Sequence, residues 1–305
     1  MGDELKKTNI EIDKINNINI SDYINNYNES DELFENIRET LSSSIRIKLL
    51  LSLFSSKKDS KEIQEDTGLA NTTILTGLNT LKNIGLVKKV EKDFTLSSNG
   101  LMITSSMLKF FENLYSISNS YDFLENHSVE DIPTKQLSNL LMIKNAQCIK
   151  SSKEDLTKPS KEYLDLISKS KNLKILMPIF SPIYLDGILD SLANGSTLEL
   201  IITEPILESM EINGYYNKLL AISDEMGLNK NQFIKIWKVP EDFKLFLSSG
   251  NNFLAVNLFF KDSYYDDSEI LIDKTKDGIK WGNQIFEDYR KKGELIDIES
   301  IFYSN

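Results

Sequence analysis

The stretch "NTTILTGLNTLKNIGLVKKV", Asn71 to Val90, decides the fold of the first half of the chain. Ile74, Leu78 and Leu81 recur at the spacing of one helix face, with Leu75 and Ile84 at its margins. Asn71 is placed to cap the helix and Gly85 to end it. The opposite face then carries Thr72, Thr73, Thr76, Gly77, Thr80 and Asn83, with Lys82 near the end. Beyond Gly85, Leu86, Val87 and Val90 face Phe94, Thr95 and Leu96 as two short strands around a tight turn at Glu91–Lys92–Asp93. A helix that runs through Gly into a strand bearing Lys88 and Lys89 sets a basic hairpin beside the helix. Two readings are open: a helix that enters the DNA major groove, or an amphipathic helix with a solvated basic tail.

The flanks extend the pattern. Leu33, Ile37 and Leu41 recur every four residues, and "IRIKLLLSLF" (Ile45–Phe54) predicts a helix that is apolar on most sides. Ser60 is read as the cap of a short helix, "KEIQEDTG", that Gly68 ends. After the hairpin, Ser98 or Asn99 caps a helix over "LMITSSMLKFFENLYSI", with Leu101, Leu108, Phe111 and Leu114 as its seam. Helix, short helix, turn, second helix and hairpin follow the order of a winged helix-turn-helix domain, assigned to residues 31–120. Residues 1–30 form an acidic, Asn-rich arm with few large apolar side chains.

Residues 121–305 change register. Strands are expected at "NAQCIKS", "LKILMPIF" (Leu173–Phe180), "STLELII", "QFIKIWKV", "FKLFLSS", "FLAVNLFF" and "SEILID". Helices opened by Pro159 and Pro182 alternate with them, and "DGIKWGNQIFEDYRKKGELI" closes the chain as a helix. This predicts a mixed α/β sheet domain, and a two-domain α+β / α/β protein as a whole.

Charge sorts the halves. The 305 residues carry a net charge of −11, which excludes a protein that coats nucleic acid non-specifically. From Asp31 to Phe110, however, eleven Lys and Arg stand against ten Asp and Glu, so the acidity lies elsewhere. No apolar run reaches the roughly 18 residues of a membrane helix, and the first thirty residues lack the apolar core of a signal peptide. A cytoplasmic protein without a membrane partner is expected by elimination.

The polar face of the Asn71 helix suits DNA. Short hydroxyls at Thr72, Thr73, Thr76 and Thr80 reach phosphates or thymine methyls, and Gly77 is read as allowing close approach. Lys82, Lys88, Lys89 and Lys92 are placed for phosphates. Arg, the usual reader of guanine, is absent from this helix. Chemistry has little to work with. His127 is the single histidine and Cys148 the single cysteine, so multi-His and multi-Cys metal sites are excluded and both residues are read as structural. "YYDDSE" (Tyr264–Glu269) bunches three carboxylates but has the composition of a turn, and no metal, cofactor or catalytic residue is expected. "MPIFSPIYLDG" and "LIITEPIL" each join a strand end to a helix start, a place for a polar or anionic ligand. Phe180, Ser181, Thr203 and Glu204 are the candidates, with Tyr265 and Trp281 lining the crevice or lying in the core.

The segments "SSIRIKLLLSL", "KEIQEDTGLANTTILTGLNTLKNIGLVKK" and "FTLSSNG" resemble the ArsR-like winged-helix regulators, in Leu78-x-x-Leu81, Gly85–Leu86–Val87 and the turn Ser97–Gly100. "ENHSVEDIP", "MPIFSP", "LELIITEPIL", "YYDDSEILID" and "GIKWGNQIFEDYR" are similar to the archaeal methanogenesis-regulator family. The resemblance runs from about Leu33 to Arg290. It implies an N-terminal DNA-binding domain, a C-terminal effector domain, no enzymatic activity and a methanogen source. A dimeric regulator of double-stranded operator DNA, responsive to a small-molecule or protein effector, is therefore expected. The other reading is a winged-helix module for protein contacts on an acidic scaffold.

Overall fold

The computed structural model describes residues 32–119, 121–225 and 233–297; the arm at 1–30 lies outside them. The chain divides into two compact units between Glu112 and Asn113, where the sequence reading drew the boundary at 120 and 121.

The N-terminal unit holds α1 (Glu32–Leu41), α2 (Ser44–Ser52), α3 (Ser60–Thr67), α4 (Asn71–Asn83), β1 (Val87–Val90), β2 (Asp93–Leu96) and the start of α5 (Ser98–Asn119). Leu49, Leu50, Ile63, Ile74, Leu78 and Leu81 are wholly buried in one aliphatic cluster with Phe94. Lys58 and Phe94 exchange backbone hydrogen bonds, which adds a third short extended segment to the β1–β2 hairpin. Burying this aliphatic stripe is what holds helices too short to persist alone.

In this unit the expected caps sit early, by one position at Asp59 and Ala70 and by one or two at Ser97. Asp59, not Ser60, caps α3: its carboxylate accepts from the Lys61 and Glu62 amides, and Glu62 accepts from the Asp59 amide in return. Ala70, not Asn71, occupies the cap of α4 and offers no side-chain acceptor. Ser97 starts α5: its Oγ accepts from Gly100 N at 3.0 Å and donates to Gly85 O at 2.6 Å. One hydroxyl thus fastens the end of α4 to the start of α5. Gly100 is needed there, because a Cβ on it would lie 2.0 Å from the Leu86 carbonyl oxygen.

The C-terminal unit contains α6 (Tyr121–Asn126), α7 (Thr134–Leu137), β3 (Gln147–Lys150), α8 (Lys158–Ser168), β4 (Asn172–Leu176), α9 (Pro182–Ala193), β5 (Thr197–Ile202), α10 (Glu204–Ile212) and α11 (Tyr215–Glu225). It continues with β6 (Ile234–Lys238), β7 (Leu245–Ser249), β8 (Leu254–Leu258), β9 (Glu269–Asp273), α12 (Lys276–Arg290) and β10 (Glu294–Ile296). The eight strands form one sheet in the order β10-β6-β5-β4-β7-β8-β9-β3. Strands β4, β5 and β6 are parallel and the other neighbours antiparallel. The architecture is the two-domain, mixed-sheet class read from the sequence.

Side chains alternate across this sheet. Leu200, Ile202 and Phe246 bury with Tyr163, Tyr184 and Ile188 of α8 and α9 on one face. Ile201, Leu245 and Leu247 bury with Trp281, Ile285 and Phe286 of α12 on the other. Strand β4 stops at Leu176 rather than at Phe180, because Pro178 has no amide to donate. "GELI" is not the end of the last helix: α12 ends at Arg290 and Glu294–Ile296 pairs with β6. No helix among the described residues is long and apolar enough to cross a membrane.

Candidate nucleic-acid interface and ligand crevice

Helix α4 turns Ile74, Leu78 and Leu81 inward, so its outer face is fixed by periodicity. Thr72, Leu75, Thr76, Asn79, Lys82 and Asn83 are exposed on it. Thr73 and Thr80 are half-buried at its edges. Thr76 and Thr80 donate their hydroxyls to the carbonyls of Thr72 and Thr76, at 2.9 and 3.2 Å, which leaves their oxygens as acceptors and their methyls outward. Gly77 is not on this face. It is buried against α2, and a Cβ on it would come within 2.5 Å of Leu49 Cδ1. Its smallness serves helix packing, and the close approach it allows is to Leu49. Leu75, 40% exposed, and Asn79 take the place the sequence reading gave to Gly77.

On the hairpin Lys88, Lys89 and Lys92 are exposed. Lys89 Nζ stands 5.6 Å from the centre of the Phe94 ring, which steadies the stem without neutralising the charge. Lys92 lies 3.9 Å from Asp59, so part of its charge is already answered. Lys82 and Lys88 make no ion pair among the described residues. The unit therefore presents hydroxyl, amide and apolar groups on a helix with free ammonium groups beside it.

In the C-terminal unit, β4 and β5 are adjacent and parallel, with Leu176 opposite Ile201. Their C-terminal ends bring Phe180, Ser181, Thr203 and Glu204 to one end of the sheet, where α9 and α10 begin. Ser181 Oγ accepts from Tyr184 N at 3.4 Å and caps α9. Thr203 is buried and makes no side-chain cap. Glu204 pairs with Lys238 of β6 at 2.6 Å, and this holds the lysine above its usual pKa. Phe180 packs edge-on against Tyr215. Tyr265 lies on the same sheet face, against Phe246 and Phe259. The hydroxyls of Tyr163, Tyr265 and Ser248 are buried there, Tyr163 facing Ser248 and Tyr265 facing Tyr184 without well-formed hydrogen bonds, and burial pushes both phenols well above their usual pKa.

Trp281 does not belong to this crevice. It is 1% exposed on the opposite face of the sheet, where its indole nitrogen donates to Gln136 O at 3.0 Å. The reason is the helix it sits on: α12 covers the other side. Along α12 runs a groove of about 530 Å³ lined by Lys135, Gln136, Asn251, Lys276, Lys280 and Lys291, which the strand-end rule did not anticipate. Nor did sequence spacing bring His127 to Asp266, yet their side chains meet at 3.0 Å. Residues that far apart in the chain leave no local signal of contact.

Two family models match the chain. The N-terminal domain of the methanogenesis regulatory protein FilR1 matches residues 34–115, and its middle domain matches residues 156–292. Among curated proteins, the methanogenesis regulatory protein FilR1 of Methanothrix harundinacea (strain 6Ac) is 23% identical over 267 residues. That alignment takes in 87% of this chain but 59% of the relative, so the chain spans less than two thirds of the relative's length. Among solved structures, TrmBL2, an archaeal chromatin protein with a novel mode of DNA binding, aligns at 10% identity over 81% of this chain and 92% of that one, with a TM-score of 0.38. Nuc from Salmonella typhimurium, a phospholipase D family member, aligns at 12% identity over 50% of this chain and 98% of that one, with a TM-score of 0.37. At these scores neither structural likeness bears on function. The two domain matches fall in consecutive stretches that take in most of the described residues, and the chain belongs to the FilR1 family of methanogenesis regulatory proteins.

Proposed function

We propose that this chain is a DNA-binding transcriptional regulator. In this reading residues 31–120 are the DNA-binding domain and residues 121–305 the regulatory domain. The observation that carries it is the outer face of α4, Thr72, Thr76, Asn79 and Lys82, beside the unneutralised Lys88 and Lys89 of the hairpin. Lysines on the hairpin take phosphates and fix register. Threonine methyls and the Asn79 amide read base edges, thymine and adenine respectively. The regulator acts as a homodimer on a two-fold operator. Support for this comes from α5, which exposes Leu101, Met102, Phe110, Leu114 and Tyr115 along its length. The strand-end crevice takes a polar or anionic effector, bound at the adjacent starts of α9 and α10.

The test is selection of genomic fragments by the purified protein at two salt concentrations, repeated with Lys88→Glu plus Lys89→Glu. A palindromic site should be enriched. The double variant should bind every sequence more weakly and reduce the log–log salt slope by about 1–2, with an unchanged melting temperature. Equal binding by wild type and variant would remove DNA from the hairpin. The exposed Leu75 and the lack of Arg on α4 favour the second reading, a winged helix that meets a protein. Partner capture that survives the double substitution, with no fragment enriched, would establish it.

A further inference from the structure

His127, Asp266 and Glu269 come from three segments and meet inside the C-terminal unit, their side chains 0%, 3% and 9% exposed. Their donor atoms all lie within 4.8 Å of one another. The imidazole is held between Phe123 and Phe260, with ring centres 4.8 and 5.0 Å away. Its Nδ1 contacts the Phe123 carbonyl oxygen. A carbonyl only accepts, so Nδ1 carries the hydrogen, and in the neutral ring Nε2 carries a lone pair. That lone pair faces Asp266 Oδ2 at 3.0 Å and Glu269 Oε1 at 3.9 Å.

Each carboxylate spends its other oxygen on fixed donors. Asp266 Oδ1 accepts from Ser268 N at 2.8 Å and Ser268 Oγ at 2.6 Å. Glu269 Oε2 accepts from Lys150 Nζ at 2.7 Å and from the Cys148 thiol at 3.3 Å. Three acceptors therefore face one another, and a metal ion or a shared proton reconciles them. Lys150 answers one of the two buried negative charges, which leaves one.

We propose that His127 Nε2, Asp266 and Glu269 form a binding site for a divalent transition-metal ion, of which zinc best suits the donors. One nitrogen and two carboxylate oxygens are a zinc set, and bonds of about 2.0–2.2 Å place neighbouring donors roughly 3.3 Å apart. The separations from Nε2, 3.0 and 3.9 Å, bracket that edge. The Nδ1 contact with a backbone carbonyl is the outer contact by which metal-bound histidines are oriented. The ion ties the end of α6 to the loop between β8 and β9 and to the first residue of β9. The sequence suggests a turn at "YYDDSE" from its composition, and its single histidine excludes only multi-His sites; this site uses one.

The experiment uses the untagged full chain, metal content by mass spectrometry, and zinc uptake after stripping with chelator. One equivalent of zinc should be retained and, after stripping, taken up again. Stripping should lower the melting temperature by about 5–10 °C, as loss of a tightly bound ion does. His127→Gln and Asp266→Asn should each take up none. Should a variant not fold, the stripped and reloaded wild type decides alone. A wild-type chain that holds no metal and whose melting is unmoved by zinc overturns the site; the shared cation is then the proton of an imidazolium. Equal uptake by folded variants overturns it too, by placing the ion elsewhere.

Discussion

The two units bury polar groups differently. Of the buried side-chain polar atoms that lack a partner among the described residues, Thr104 Oγ1 alone is in the N-terminal unit. The C-terminal unit holds the rest, among them the hydroxyls of Tyr163, Tyr216 and Tyr265 and the Oδ1 of Asn257. A buried hydroxyl without a partner costs about 1–3 kcal/mol. A unit that keeps several has either a use for them inside or stability to spare. The N-terminal unit, with one aliphatic cluster, keeps its polar chemistry on the surface of α4 and the hairpin. The contrast matches the division of labour proposed above, outside for one unit and inside for the other.

The largest expected effect tests how rigid each unit is. A methyl group on Gly100 meets the Leu86 carbonyl oxygen at 2.0 Å, and backbone cannot swing away. On Gly282 it meets Leu254 Cδ1 at 2.3 Å, the free end of a side chain. Gly100→Ala should therefore cost about 3–4 kcal/mol and Gly282→Ala about 1 kcal/mol, read from denaturant midpoints. Equal costs would mean the sheet unit is as unyielding as the α4–α5 junction.

Next is Tyr163→Phe. It removes a wholly buried hydroxyl that faces Ser248 without a well-formed hydrogen bond, and leaves the ring packed against Tyr184 and Phe246. The variant should be as stable as the parent or about 1 kcal/mol more so. A loss of stability would show that the hydroxyl is satisfied, and the contrast between the units would weaken.

What could be read ahead of the structure follows the range of the forces involved. The buried stripe Ile74, Leu78, Leu81 and the stops at Gly68 and Gly85 are set within one or two helical turns, so spacing alone located them. Caps were misplaced by one because Ser60 and Asp59 are both good caps, and only geometry chooses between them. Gly77 was given to DNA because a glycine offers no clue to which side its neighbour lies on. The strand ends Ser181 and Thr203 did come together, since β4–α9–β5 is a local crossover. Trp281, and the meeting of His127 with Asp266, depend on which sheet face a helix covers and on contacts across the fold, which no local spacing encodes.

The smallest effects separate two carboxyls, one in each unit, by the sign of their response to pH. Asp66 of α3 accepts from Lys58, its largest influence, and from Ser52 Oγ at 2.6 Å, and these hold its carboxyl below the usual value of 3.8. Asp131 has its carboxyl raised above 3.8, chiefly by burial and in spite of a 2.7 Å bond from Lys244 N. For a depressed carboxyl the unfolded chain binds the proton first as pH falls, so its stabilisation is full above 3.8 and fades below. For a raised one the folded chain holds the proton longer, so stability declines as pH rises from 3.8 through the folded pKa. Asp66→Asn should thus melt below wild type at neutral pH and converge with it in acid. Asp131→Asn should converge in acid as well, but from above. Melting curves of both variants against wild type, from neutral pH down to below 3.8, decide it, and two deviations of the same sign would show that burial does not govern Asp131.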